Sequence, residues 1–101
     1  METIWHITLD GTPAVPGDEG FVHASFTSQL AGTLAVHYAG ARSIVLLRLD
    51  PTSLGERLVV EPSRDDALFP HIFGELVDSD ILETRALESG PDGRFPLADL
   101  P

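Results

Sequence analysis

Polar and apolar residues interleave from the start of the chain. Ile4, His6 and Thr8 alternate with Trp5, Ile7 and Leu9, the period-two signature of a strand whose two faces differ. The stretch from Gly11-Thr12-Pro13 through Pro16-Gly17-Asp18 carries turn formers without a period and predicts a loop that Gly20 ends. Alternation resumes over Phe21 to Ser25, which predicts a second strand with Phe21, His23 and Ser25 on one side and Val22 and Ala24 on the other. Thr27 or Ser28 is suited to cap a helix in which Leu30, Leu34, His37 and Tyr38 recur at helical spacing on an inner face until Gly40.

Ser43 to Leu49 is a nearly unbroken apolar run holding Ile44, Val45, Leu46 and Leu47, as expected of a central strand covered on both faces. Asp50 to Gly55 reads as a turn or a single helical turn, Arg57 to Glu61 as a short strand ended by Pro62, and Ser63 to Ala67 as an exposed polar link. Phe69 to Val77 is an extended aromatic segment around Pro70 and Gly74. Ile81 to Leu87 is a last strand with Ile81, Glu83 and Arg85 opposite Leu82, Thr84 and Ala86. Strands dominate around one clear helix, so the expected class is α+β, two small packed and mostly antiparallel sheets with one main helix. Residues 1–87 form the expected single domain, and 88–101, rich in Gly, Pro and Asp, a loose C-terminal tail.

Composition narrows the function. With 101 residues and 43% hydrophobic content there is room for one core. Arginine supplies all six basic side chains against sixteen acidic ones, a formal net charge of −10, so nucleic acid and anionic membranes are expected to be repelled. The absence of cysteine removes disulfides, thiolate metal sites and thiol nucleophiles. Neither a basic start nor a long apolar run is present, and the expected location is the cytoplasm.

Three histidines stand in apolar surroundings: His6 in Ile4-Trp5-His6-Ile7-Thr8, His23 in Gly20-Phe21-Val22-His23-Ala24-Ser25 and His71 in Leu68-Phe69-Pro70-His71-Ile72-Phe73-Gly74. Desolvating an imidazole costs free energy unless a partner satisfies it, so these placements predict a shared polar pocket in an apolar shell. Three imidazoles could also hold zinc, but short His spacings are absent and only the fold could assemble them, so no metal ligands are assigned. Each residue also has an ordinary use: a buried His satisfies a backbone group, Ser25 or Thr27 caps the helix, and Trp5, Phe69 and Phe73 fill the core.

His6-Ile7-Thr8, the Gly20 to Ser25 segment, the strand Ile44 to Asp50, Val59-Val60-Glu61-Pro62 and Phe69-Pro70-His71-Ile72-Phe73-Gly74 resemble, in order, the motifs of domain-of-unknown-function family 952, over roughly residues 2 to 87. That family is similar to a compact ADP-ribosyltransferase fold, in which NAD lies in a cleft between two sheets. Trp5-His6-Ile7-Thr8 resembles the His-Gly-Thr strand of catalytic members of that fold, and Phe21-Val22-His23-Ala24-Ser25 resembles the His-Val-His-Leu-Ser segment of RNA 2′-phosphotransferases.

The resemblance implies a nucleotide-shaped cleft, with NAD as the candidate cofactor or substrate. Cleavage of a nicotinamide glycosidic bond passes through an oxocarbenium-like state that a carboxylate stabilises. Glu61 is the candidate for that role, with His6 beside it as a catalytic donor; Thr8, His23, Ser25, His71 and Gly74 complete the candidate ligand-binding set. Two departures stand out. Residues 9–19 are shorter than the family's corresponding segment, so one wall of the cleft is expected to be reduced, and only Arg42, Arg48 and Arg64 could serve a pyrophosphate. The rival class is a non-catalytic binding module with a degenerate cleft.

Overall fold

The computed structural model describes residues 2–101; Met1, the first residue of the expected 1–87 domain, lies outside the described residues. In chain order the elements are β1 (Ile4–Thr8), β2 (Phe21–His23), β3 (Ser25–Phe26), α1 (Leu30–His37), β4 (Ser43–Leu49), α2 (Pro51–Leu54), β5 (Leu58–Pro62), β6 (Leu68–Phe73) and β7 (Ile81–Glu88). They build a four-stranded sheet in the order β3-β1-β4-β7 and a three-stranded sheet in the order β2-β6-β5. Every pairing is antiparallel, giving an α+β arrangement of two small sheets with one main helix.

The larger sheet is the middle layer. Ile4, Leu47 and Leu49 pack toward the smaller sheet, against Val22, Leu54, Ile72 and Leu76. Trp5, Ile7, Ile44 and Leu46 face the other way, onto Leu30 and Leu34 of α1. This double coverage explains why all five residues of β1 are buried. The polar positions His6 and Thr8 are therefore interior, and their side chains must find partners. β4 carries the unbroken apolar run for the same reason.

The alternation over Phe21 to Ser25 does not make one strand. His23 pairs with His71 in the smaller sheet, whereas Ser25 pairs with Trp5 in the larger. Ala24, buried and small, is the hand-over point, and its N–H donates to the Pro70 carbonyl at 3.2 Å. Proline has no N–H to return the bond, so the β2-β6 ladder stops there and the chain is free to cross.

Other boundaries shift for identifiable reasons. Thr27 does not cap the helix: its hydroxyl accepts from the Trp5 indole at 2.8 Å and donates to the Pro101 carbonyl at 2.6 Å, and a 3₁₀ turn over Thr27–Gln29 leads into α1. His37 is exposed rather than on the inner face, which Leu30, Leu34 and the half-buried Tyr38 occupy. Asp50 caps α2 by accepting the Thr52 N–H at 3.0 Å. β6 ends at Phe73, because Gly74 turns the chain with φ +105. Residues 89–101 contain no helix or strand, yet they are not loose: Phe95, Leu97 and Leu100 pack on the Trp5 cluster, and Ser89 N–H donates to the Arg42 carbonyl.

Candidate functional site

A cleft of about 780 Å³ opens beside the crossover at Ala24. Its volume falls in the range of pockets that enclose small organic ligands, roughly 300–1,000 Å³. β1 contributes His6 and Ile7, the crossover contributes Phe21 to Ser25, and α1 contributes Thr33, Val36 and His37, with Tyr38 following it. Arg64 and Phe69 close the far side. The segment expected to leave a wall reduced instead supplies one, through Ala14, Val15, Gly17 and Glu19.

His6 fastens that wall. Its Nδ1 lies 2.8 Å from the His23 carbonyl and its Nε2 lies 3.1 Å from the Ala14 amide nitrogen. A carbonyl only accepts and an amide N–H only donates, so the ring is neutral with its proton on Nδ1. Burial pushes its proton affinity down, the His23 carbonyl partly opposes this, and the neighbouring His23 ring adds to the lowering. Both nitrogens are thus committed to backbone, and proton transfer by His6 would first require one of these bonds to break. Tyr38, whose phenol burial holds protonated, donates to the Ile7 carbonyl at 3.2 Å and braces the same strand.

The polar row of the cleft runs from β3 to the hairpin between β5 and β6. Ser25 Oγ lies 3.0 Å from Thr33 Oγ1, and Arg64 Nη2 reaches Thr33 Oγ1 at 3.4 Å. The Arg64 guanidinium also stands 4.9 Å above the Phe69 ring, held there by a tight turn in which Asp65 and Asp66 take positive φ. His23 is exposed, with Glu19 at 3.7 Å across an open and weak contact. Thr33 escaped the sequence reading. The signal was present, since Thr33 and His37 form an i, i+4 pair beside the Leu30-Leu34-Tyr38 stripe, on the flank of the helix that faces the cleft.

The remaining candidates stand elsewhere. Thr8 accepts the Gly11 N–H at 2.6 Å and donates to the Val45 carbonyl at 3.4 Å, which shapes the turn after β1. Gly74 lies beside the Arg57 side chain at the end of β6. Glu61 and His71 meet each other, Oε1 to Nδ1 at 2.8 Å, on the outer face of the smaller sheet; neither is part of the cleft wall. Among the described residues no group of three or more His, Cys, Asp or Glu side chains converges as a metal site, and no helix is long and apolar enough to cross a membrane.

Fold and site together define a small two-sheet α+β protein with a histidine-bearing cleft where one segment changes sheets. The chain belongs to the family described as protein of unknown function (DUF952), which matches residues 8–84. Among solved structures it is similar to the X-ray structure of protein CC0527 from Caulobacter crescentus, at 28% identity, TM-score 0.82 and 96% coverage of both chains. The solution NMR structure of CC0527 gives 30% identity and TM-score 0.77, covering 95% of this chain and 92% of that one. None of the curated proteins matches the chain.

Proposed function

We propose that the protein binds a small nucleotide-like molecule in the cleft, in the manner of a compact ADP-ribosyltransferase-like fold, and that NAD or ADP-ribose is the first ligand class to test. The observation that carries this reading is the polar row Ser25-Thr33-Arg64 inside a cavity of about 780 Å³. An arginine and two hydroxyls suit a phosphate or a ribose hydroxyl, and Phe69 with Tyr38 offers apolar surface for a base. The six arginines face sixteen acidic residues overall, so selectivity for one anionic group rests on Arg64 rather than on a general field.

The cleft is suited to binding rather than to group transfer. Glu61, the carboxylate that transfer would require beside the ribose, is hydrogen-bonded to His71 outside the cleft wall. Titration of ADP-ribose and NAD, followed by the amide and imidazole NMR shifts, tests the proposal. Saturable shifts at Ser25, Thr33 and Arg64, weakened about tenfold in Arg64→Gln, are expected. An unchanged spectrum at millimolar ligand would remove the nucleotide reading.

A further inference from the structure

On the smaller sheet Val22 and Ile72 point into the core, so their neighbours Phe21, His23, His71 and Phe73 share the outer face. His71 is nevertheless only 3% exposed. The Phe21 ring lies flat on it, centroids 3.9 Å apart and planes within 13°, and Glu61 reaches its Nδ1 from β5. An ionised carboxylate only accepts, which puts the ring proton on Nδ1 and leaves the Nε2 lone pair as an acceptor. That Nε2 is buried and has no hydrogen-bond partner among the described residues.

A buried acceptor without a donor is unfavourable, because it gives up its hydrogen bond to water and gains none in return. The cost falls on a ring already oriented by a carboxylate, the arrangement that prepares an imidazole to take a proton. Two residues that touch His71 also line the cleft. Phe21 covers its face, and the exposed His23 ring stands nearly perpendicular to it with centroids 5.6 Å apart. Phe21 follows Gly20, whose φ of +88 marks the end of the long loop, so the covering ring stands at a strand terminus rather than mid-sheet.

We propose that Glu61 and His71 form a proton-accepting pair for an O–H group of a molecule held in the cleft, reached when the Phe21 side chain swings off His71. In full transfer the ligand O–H bond breaks and the Nε2–H bond forms. The electron pair stays on the ligand oxygen and the imidazolium charge faces Glu61. His71 is the group that meets the ligand; Glu61 is a positioning residue. The proposal rests on the cleft reading for its ligand, but not for the existence of the pair.

Diethyl pyrocarbonate, which acylates reachable unprotonated imidazoles, tests it. The chain has no lysine, so trypsin cuts only after arginine: peptide 65–85 carries His71 alone, and peptide 1–42 carries the other three histidines. Peptide 65–85 of the native protein is expected to label more slowly than peptide 1–42, and Phe21→Ala, with Phe21→Leu as the milder change, to speed it about tenfold. Ring-nitrogen NMR shifts are expected to place the His71 proton on Nδ1, and Glu61→Leu to lose that preference. Unchanged labelling in both Phe21 variants, with Trp5 fluorescence reporting an intact fold, would overturn the access route; a proton on Nε2 in the native protein would overturn the pair. ADP-ribose is the hydroxyl-bearing probe, and His71→Phe is expected to weaken it about tenfold; equal binding would overturn the ligand contact. Failure of ADP-ribose to bind the native protein counts against the cleft reading, while labelling and tautomer still decide the pair.

Discussion

Arg57 and Asp80 form a two-pronged ion pair, Nη2 to Oδ1 at 2.6 Å and Nη1 to Oδ2 at 3.1 Å, around a carboxylate with no solvent exposure. Ser53 Oγ and the Val77 N–H complete its shell at 2.7 and 2.9 Å. The pair ties the turn before β5 to the turn before β7 and draws Arg57 out of the strand predicted to begin with it.

This cluster is expected to contribute to the acid stability of the fold. The Arg57 guanidinium, ahead of the Val77 and Ser53 donors, pulls the Asp80 carboxyl from 3.8 down to about 2. A depressed acid stabilises the folded state above its unfolded value, and that stability is lost as pH falls from 3.8 toward 2. At about 1.4 kcal/mol per tenfold change in proton affinity the contribution is about 2 kcal/mol at neutral pH. Asp80→Ala leaves Arg57 without its partner and is expected to cost about 3 kcal/mol. Urea melts from neutral pH down to the acid limit check both numbers, and the variant should lack the lowest-pH loss.

His6 governs a separate window. Its proton affinity is lowered by burial below the ordinary 6.5, so the unfolded chain binds the proton more readily. Stability is complete above 6.5 and declines as pH falls through that value toward the lowered one. Protonation also removes the acceptor for the Ala14 N–H, which should free the 9–19 wall of the cleft first. Hydrogen exchange at Ala14, compared near pH 8 and near pH 5, should show that amide opening early. His6→Gln should flatten the dependence and cost about 1–3 kcal/mol.

How much of this was legible follows from which residues spoke for themselves. The apolar run at Ile44 to Leu47 marked one central strand because burial on both faces leaves little room for polar residues. The alternation at Ile4 to Thr8 marked the other, although both its faces are buried and its polar members, His6 and Thr8, find partners inside the fold. The crossover at Ala24 was not legible. Alternation looks the same whether Ser25 stays in one sheet or enters another, and only the missing N–H of Pro70, forty-six positions later in the chain, ends the first ladder. The histidines were found as a group, yet their roles depended on partners no spacing reveals: His6 bonds two backbone groups, His23 stays in solvent and His71 takes Glu61.

Gly74 has a backbone duty. With φ +105 it occupies a conformation L side chains rarely adopt, and an added Cβ would stand 3.6 Å from Arg57 Cδ, so space is adequate and the torsion is the obstacle. Gly74→Ala should cost about 1–3 kcal/mol through strain. It should leave ADP-ribose titration of the cleft unchanged, which thermal melts and the NMR titration read separately.

The C-terminal segment closes the core on the helix side. Phe95, Leu97 and Leu100 cover the cluster around Trp5, Ile7, Leu30 and Leu34, and the Pro101 carbonyl accepts the Thr27 hydroxyl that in turn holds the Trp5 indole. Composition argued for a loose tail because Gly, Pro and Asp suppress regular structure; three spaced apolar residues are enough to dock it without any. Removing residues 90–101 should expose one edge of the Trp5 cluster and shift its fluorescence to the red. Phe95→Ala alone, at a half-buried site, should cost about 1–3 kcal/mol, less than full core truncation of an aromatic at ~3–5 kcal/mol. A truncated protein with native Trp5 emission and an unchanged melting midpoint would show the segment to be dispensable. The opposite result would make residues 89–101 part of the folded unit rather than an appendage to it.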